Sequence, residues 1–260
     1  MKSLEMSTSV NKEYCNSNCL SIVTVVFNDR DNLEATIKSV LKQKPIDFQY
    51  VVIDGGSTDG TLDVIKKYES IIDYWISESD EGIYDAMNKA VVRVSCDWVI
   101  YLNAGDEFYN GSVLGEVLNY LDDSVDLVIG DYYDVDQKKI VQQRISKFML
   151  STRMICHQTV FFKRAVLESY PYNLDYRICS DFEQFCRLLS MNVKMRKLNL
   201  PVVKYLGNGL SIRESKSRLE EKGRIIKSHY VGFVKLWGIL NNYRHRVKLY
   251  LKEYRRSILP

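Results

Sequence analysis

Short apolar runs alternate with segments of helical periodicity along the first half of the chain. Leu20 to Phe27 (LSIVTVVF) is a β-branched run that stops at Asn28-Asp29, which predicts a strand buried on both faces. Asp31 is placed to cap the next segment, where Leu33, Ile37, Val40 and Leu41 fall at helical spacing. Tyr50 to Ile53 (YVVI) predicts a second buried strand, ended by Asp54-Gly55-Gly56-Ser57. Thr58-Asp59-Gly60-Thr61 opens another helix, which carries Leu62, Ile65 and Tyr68. Tyr74 to Ile76 reads as a third strand, Ile83 to Val94 as a helix, and Trp98 to Leu102 (WVIYL) as a fourth strand. Such alternation favours βαβ units and a mixed, mostly parallel α/β sheet flanked by helices.

The pattern then changes. Val113 to Leu121 predicts a helix and Asp126 to Ile129 a strand, while residues 131–148 are polar and alternate like a hairpin. Val160 to Phe162 is short and extended, and Asp181 to Leu189 is helical. The expected organisation is an N-terminal arm at 1–19, an α/β domain at 20–210 with halves at 20–110 and 111–210, and a helical tail at 211–260.

Composition narrows the class. With 46% hydrophobic and 27% charged residues and only four prolines, the chain reads as globular, not linker-rich or disordered. A net charge of +3 does not by itself call for nucleic acid. Six scattered cysteines, with no CxxC pair and no Cys/His cluster at zinc spacing, read as reduced thiols of a cytosolic protein. The first residues lack the apolar core of a signal peptide, and no apolar run approaches a membrane span. A cytoplasmic protein is expected, with any membrane role peripheral.

Two acids follow the strands, Asp54 after YVVI and Asp106 shortly after WVIYL. In open parallel sheets ligands bind outside the carboxyl ends of the strands. Carboxylates there suit a hydrogen bond to a base or ribose and a hard divalent metal on phosphate. Gly55, Gly56 and Gly60 permit close ligand approach, although Asp-Gly and Ser-Thr-Asp are also ordinary turn and cap formers. DGGSTDGT lacks the Gly-Lys-Ser/Thr ending of a Walker loop and the GxGxxG spacing of a dinucleotide fold.

Four stretches in order, SIVTVVFND, VVIDGGSTDGT, SESDEGIYDAMNKA and WVIYLNAGDEF, resemble glycosyltransferase family 2. With the acidic motif considered below, the resemblance extends over roughly residues 20–190. It is nearest the bacterial branch that builds O-antigen, capsule and exopolysaccharide repeats, and it implies a GT-A fold and inverting transfer. It makes 20–110 the nucleotide-sugar half and 111–210 the acceptor half. Thr24, Val26 and Asn28 match the strand end that frames the nucleobase, and Asp54 the acid that hydrogen-bonds the base. Asp80, Asp85 and Asn88 fall where ribose, phosphate or donor sugar is met; Lys89 reads either as a phosphate partner or as a solvated lysine. The family's Asp-x-Asp-Asp is replaced by Asn103-Ala104-Gly105-Asp106. Asn103 keeps a donor for ribose or phosphate, and Asp106 keeps a carboxylate for Mn²⁺ or Mg²⁺, which commonly use only one or two protein carboxylates. Glu107 is read as an exposed loop residue or an outer partner of the metal.

An inverting transfer also needs a base for the acceptor hydroxyl. Ser180-Asp181-Phe182-Glu183, followed by Arg187, resembles the family's acidic motif, which implies Asp181 as base and Glu183 in reserve or at the acceptor. A plain helix cap is the competing role for Asp181. His157 and Gln158 are candidate acceptor contacts, and Asp131 either joins them or ends a strand.

From Lys216 onward bases greatly outnumber acids, and Tyr230, Phe233, Trp237, Tyr243, Tyr250 and Tyr254 are interleaved with them. Such a helix can lie on the anionic inner membrane surface, beside a lipid-diphosphate-linked saccharide acceptor, or pack on the domain with a solvated basic side. Nucleic acid fits less well, and a homo-oligomer is compatible with the sequence. The expected donor is a UDP-sugar carrying a hexose or N-acetylhexosamine. The alternatives are a sugar-nucleotide nucleotidyltransferase and a degenerate nucleotide-sugar-binding protein.

Overall fold

The computed structural model describes residues 5–8, 19–43, 45–191, 193–206 and 214–258. In chain order its first elements are β1 (Glu5–Thr8), β2 (Leu20–Val26), α1 (Arg30–Leu41), β3 (Gln49–Asp54), α2 (Thr61–Lys67), β4 (Tyr74–Ser77), α3 (Ile83–Val91) and β5 (Trp98–Tyr101). Then come β6 (Glu107–Phe108), α4 (Val113–Val117), β7 (Leu127–Asp134), β8 (Lys139–Val141), α5 (Lys147–Thr152), β9 (Val160–Lys163) and α6 (Arg164–Ser169). The last are α7 (Ser180–Leu188), β10 (Met195–Tyr205), α8 (Ser215–His229) and α9 (Gly232–Ile258). They form two units: the described residues of Met1–Gln143, Cys156–Tyr172 and Val193–Gly207, and those of Arg144–Ile155, Asn173–Asn192 and Asn208–Pro260.

The first unit holds the sheet. β4, β3, β2 and β5 lie side by side and parallel, with Val26 opposite Asp54 and Asp54 opposite Ser77. Every residue of β2, β3 and β5 is buried, which is why these strands read as continuous apolar runs. α1 turns Leu33, Ile37 and Val40 into the same core, each worth about 1.5–3 kcal/mol when fully buried. β2, β3 and β4 step outward in one direction, whereas β5 sits on the other side of β2. The strand order therefore reverses between β2 and β5, and such a reversal leaves a crevice at the carboxyl ends. Beyond β5 the sheet continues with β9 and β7, each antiparallel to its predecessor, then with β10 parallel to β7 and β6 antiparallel to β10.

Several expectations are corrected. α1 begins at Arg30, so Asp31 lies inside the first turn, paired with Arg30, instead of capping it. Glu5–Thr8, placed in the arm, is a strand antiparallel to β4. The hairpin predicted at 131–148 is β7–β8, which starts earlier, and Lys147–Thr152 is helical. β10 was not anticipated: Pro201 interrupts its pattern, paired with Asp131 between two register shifts, and bulges are among the sheet positions where proline is tolerated. Gly130 of β7 faces that bulge, and a Cβ there would run into Val202 and the Leu200 carbonyl. Cys19 and Cys96, which precede adjacent parallel strands, have Cα atoms 5.0 Å apart and are joined as a disulfide. The reading of reduced thiols fails for that pair, because sheet neighbours are not sequence neighbours. Cys156, Cys179 and Cys186 are thiols, and Cys15 lies outside the described residues.

The second unit joins the predicted tail to α5 and α7. α8 buries Leu219, Ile225 and Ile226, and Gly238 of α9 sits so close to Ile226 and Ser151 that a Cβ would be 3.0 and 3.2 Å from them. Buried Glu221 accepts hydrogen bonds from the N–H groups of Arg177, Ile178 and Cys179 at 3.0, 2.9 and 2.9 Å, fixing the segment that enters α7. Lys222 is also buried; it donates to the Thr152 carbonyl at 2.9 Å and lies 5.2 Å from the centre of the Phe182 ring. Burial holds its pKa down to about 8. Glu221→Ala strands the two buried donors of Ile178 and Cys179, each worth about 1–3 kcal/mol, and the part-buried one of Arg177, so it is expected to lower the urea midpoint markedly, whereas Glu221→Gln retains part of the capping. An unchanged midpoint would show that water replaces the carboxylate. Among the described residues no helix is long and apolar enough to cross a membrane.

Candidate active site

The loops after β2, β3 and β5 meet at the crevice. Asp54 ends β3, fully buried; its Oδ2 accepts from the Ser57 amide at 3.0 Å and from Ser77 Oγ at 2.6 Å. Ser57 Oγ donates to the other oxygen of Asp54 and accepts from the Asn28 amide at 2.7 Å. Asn28, in left-handed backbone at φ +49, accepts from the Thr58 amide through Oδ1 at 2.8 Å. The ends of β2 and β3 are thus tied into one frame around a buried carboxylate. Ser57 and Ser77 are members of this frame that the sequence did not single out, though both lie inside the stretches that carry the resemblance.

Thr24 and Val26 lie deeper. Thr24 Oγ1 is buried, 2.7 Å from the Leu102 carbonyl to which it donates and 3.1 Å from the Tyr50 hydroxyl. This pairing offsets the cost of a hydroxyl in an apolar strand. Val26 is a core residue.

Asp80 approaches from the loop before α3, accepting from the Gly82 amide at 2.9 Å through Oδ1. Burial raises its pKa, opposed by that amide and by Lys89. A Cβ on Gly55 would stand 2.5 Å from Asp80 Oδ2 and 3.1 Å from its Cγ. Gly55→Ala is therefore expected to push the Asp80 carboxylate aside and weaken nucleotide binding about tenfold, with the fold intact. Titration calorimetry with UDP checks this; unchanged affinity would remove Asp80 from the binding frame. Asp85 is engaged by the Glu81 amide at 3.0 Å and by Lys89 at 3.0 Å, and Lys89 also lies 3.4 Å from Glu78. Asn88 turns away: its amide group exchanges two 2.9 Å hydrogen bonds with the Tyr172 backbone. Both polar ends of Asn88, expected at the donor, thus engage the Tyr172 backbone.

The loop after β5 is held by reciprocal bonds. The Asn103 amide donates to Asp106 Oδ2 at 3.1 Å, and the Asp106 amide donates to the Asn103 carbonyl at 2.9 Å. Thr36 of α1 pins the turn, donating to the Asp106 carbonyl at 2.8 Å and accepting from the Gly105 amide at 3.0 Å. Gly105 has φ +93, a conformation that favours glycine. His157 Nε2 lies 3.2 Å from Asn103 Nδ2, and Gln158 Nε2 donates to Asp106 Oδ1 at 3.3 Å. The two residues expected at the acceptor are thus brought to the Asn103–Asp106 loop. Burial pushes the Asp106 pKa up to about 6, opposed by His157 and Gln158. Glu107 faces Lys204 at 3.2 Å instead of the loop carboxylate.

A divalent cation can be tested against these donors. Asn103 Oδ1 is buried with no hydrogen-bond partner, in the loop that carries the Asp106 carboxylate. Among the described residues no three His, Cys, Asp or Glu side chains converge as a closed metal site. One carboxylate and one amide oxygen fit a hard cation that draws its remaining ligands from phosphate and water.

Asp131 lies 2.5 Å from Lys197 Nζ and accepts from the Gln143 amide at 2.9 Å, so it closes a β7 contact. In the second unit, Asp181 is in the first turn of α7, buried, with Oδ1 accepting from the Phe182 amide at 2.7 Å. Cys179 is the N-cap residue of that helix, so Asp181 does not hold the capping position. Glu183 is held on both oxygens, by Arg187 Nε at 2.9 Å and by His229 Nε2 at 3.1 Å. Glu183, read as a reserve base or acceptor contact, is thus clamped from α8 and from its own helix.

Known proteins share this architecture. A glycosyltransferase from Mycobacterium tuberculosis, named for PGL/p-HBAD biosynthesis, is 29% identical over 243 residues, covering 84% of this chain and 90% of its own. TuaG of Bacillus subtilis, a putative teichuronic acid biosynthesis glycosyltransferase, is 35% identical over 92 residues, covering 34% of this chain and 36% of its own. Staphylococcus aureus TarS 1-349 in complex with UDP-GlcNAc superposes with a TM-score of 0.66 at 15% identity, over 86% of this chain and 72% of that one. The mannosyltransferase PcManGT from Pyrobaculum calidifontis, in complex with GDP-Man and Mn²⁺, gives 0.66 at 16% identity over 86% and 73%. The mixed α/β sheet is that of the GT-A glycosyltransferases. Residues 21–194 match the description Glycosyl transferase family 2 over most of the sheet and through α7, and the chain belongs to that family of glycosyltransferases.

Proposed function

We propose that the protein is an inverting glycosyltransferase that moves a hexose or N-acetylhexosamine from a UDP-sugar to a lipid-diphosphate-linked saccharide, in the assembly of a bacterial surface polysaccharide. The observation that carries the donor half is the frame of Asp54, Asn28 and Ser57 with the Asn103–Asp106 loop, both at the reversal of strand order between β2 and β5. The loop frame that buried Asp54 holds together, with Asn28 and Ser57, meets the nucleobase, and Asp80 accepts from ribose. TarS 1-349 in complex with UDP-GlcNAc and the teichuronic acid name of TuaG support the choices of donor and product class.

Asp106 and Asn103 would hold Mn²⁺ or Mg²⁺; when bound, the ion offsets the charge of the leaving diphosphate. PcManGT in complex with GDP-Man and Mn²⁺ supports this assignment. Asp181 takes the proton from the acceptor hydroxyl as its oxygen bonds to the anomeric carbon on the face opposite the phosphate. The bond from that carbon to the phosphate oxygen breaks, and UDP leaves with the electron pair.

The experiment is a nucleotide-release assay with UDP-, GDP- and dTDP-sugars, Mn²⁺ or Mg²⁺, and lipid-diphosphate-linked GlcNAc or GalNAc. Acceptor-dependent release of UDP with inverted product stereochemistry supports the reading. Release from a different nucleotide, or retention at the anomeric carbon, overturns the corresponding part.

A further inference from the structure

α9 is amphipathic in the unusual sense: the face it leaves in solvent is apolar. Phe233, Leu236, Leu240, Tyr243, Val247 and Tyr250 recur at three- and four-residue spacing and are all exposed, Phe233 at 68% and Tyr243 at 64%. The buried positions, Gly238 and Asn242, lie on the other side of the helix. The stripe widens at one end, where Phe148 of α5 stacks at 6.0 Å on Trp237, which in turn stacks at 6.3 Å on Phe233. An exposed apolar stripe of this length marks an interaction surface.

Charge identifies the partner. α9 carries seven lysines and arginines against one acid, Glu253. Arg244 and Lys248 are exposed, each next in sequence to a residue of the stripe, Tyr243 and Val247. A second α9 laid on this face would meet the same cations, whereas an anionic surface neutralises them. Tyr243 also lines a cleft of about 560 Å³ between α8 and α9, together with Arg224, Lys227 and Arg246. Two acids line it as well: Glu220 is exposed, and Glu221 is turned to the amides before α7. A basic cleft that opens beside an aromatic stripe suits a phosphate head group above acyl chains.

We propose that α9 lies in the surface of an anionic phospholipid bilayer, with its Phe233–Tyr250 stripe among the upper acyl chains and the cleft at Arg224, Lys227 and Arg246 taking a lipid phosphate. This deepens the membrane-linked acceptor reading above, yet it is tested without donor or acceptor, so its failure leaves the transferase reading standing.

The test is co-sedimentation of the full-length protein with vesicles of phosphatidylcholine, alone or mixed with phosphatidylglycerol. Binding to the mixed vesicles only, weakened by salt, is the expected result. Leu240→Glu and Tyr250→Glu, both at exposed positions, are each expected to reduce binding about tenfold or more with unchanged circular dichroism. Lys227→Glu is expected to reduce binding to the mixed vesicles and to flatten the salt dependence. Equal binding by wild type and the stripe variants overturns the proposal, as does no binding to mixed vesicles. It is also overturned by light scattering that shows a dimer in wild type and a monomer in Leu240→Glu, which would make a second copy the occupant of the stripe.

Discussion

Asp181→Asn is expected to cut turnover by about 10²–10⁴-fold while leaving UDP affinity unchanged. The amide is isosteric, and its oxygen still accepts from the Phe182 N–H, so α7 keeps its first turn. What is lost is the capacity to take a proton. The frame proposed for the nucleotide is built from Asn28, Asp54 and Ser57, which belong to the other unit, so titration calorimetry with UDP serves as the control. Glu183 cannot substitute without breaking its contacts to Arg187 and His229. Turnover that survives Asp181→Asn would therefore sink the base assignment outright and send the search to residues outside α7.

Asp106→Asn is expected to separate stability from function. The folded-state pKa of Asp106 is raised from 3.8 to about 6 by burial, so the folded protein holds its proton more tightly than the unfolded chain does. Stability in the absence of metal should therefore fall as pH rises from about 4 to 6, and the cost, about 1–3 kcal/mol, is fully present at pH 7. Asparagine removes that cost, so the variant should melt higher than wild type at neutral pH and lose the pH dependence across this window. Its metal-supported affinity for UDP should fall at least about tenfold, because an amide is a weaker ligand than a carboxylate. Thermal melts at two pH values and UDP titrations with and without Mn²⁺ check both halves. If metal dependence persists unchanged in Asp106→Asn, another group holds the ion. If the melt does not rise, solvent reaches the carboxylate.

The strand–helix alternation through Leu102 was legible because β2, β3 and β5 are buried on both faces and so write uninterrupted apolar runs. β10 was not, because Pro201 and the bulge around it break the run, and only the close approach allowed by Gly130 shows where the strand belongs. The motif acids were legible as types at strand ends; their surroundings were not. Nothing in the sequence showed that Asn88 would be occupied by the Tyr172 backbone or that Glu183 would be clamped by His229. Nor did it show Asp80 leaning on Gly55.

By itself the sequence determined the α/β alternation, the acids that follow the strands and the family to which their order belongs, because these are properties of neighbours along the chain. Tertiary structure alone decided which partners hold those acids, that Cys19 meets Cys96, and that Glu221 of the predicted tail holds the entrance to α7. The physical reason is that a buried polar group must find its partner in space, and that partner can lie 40 or more residues away.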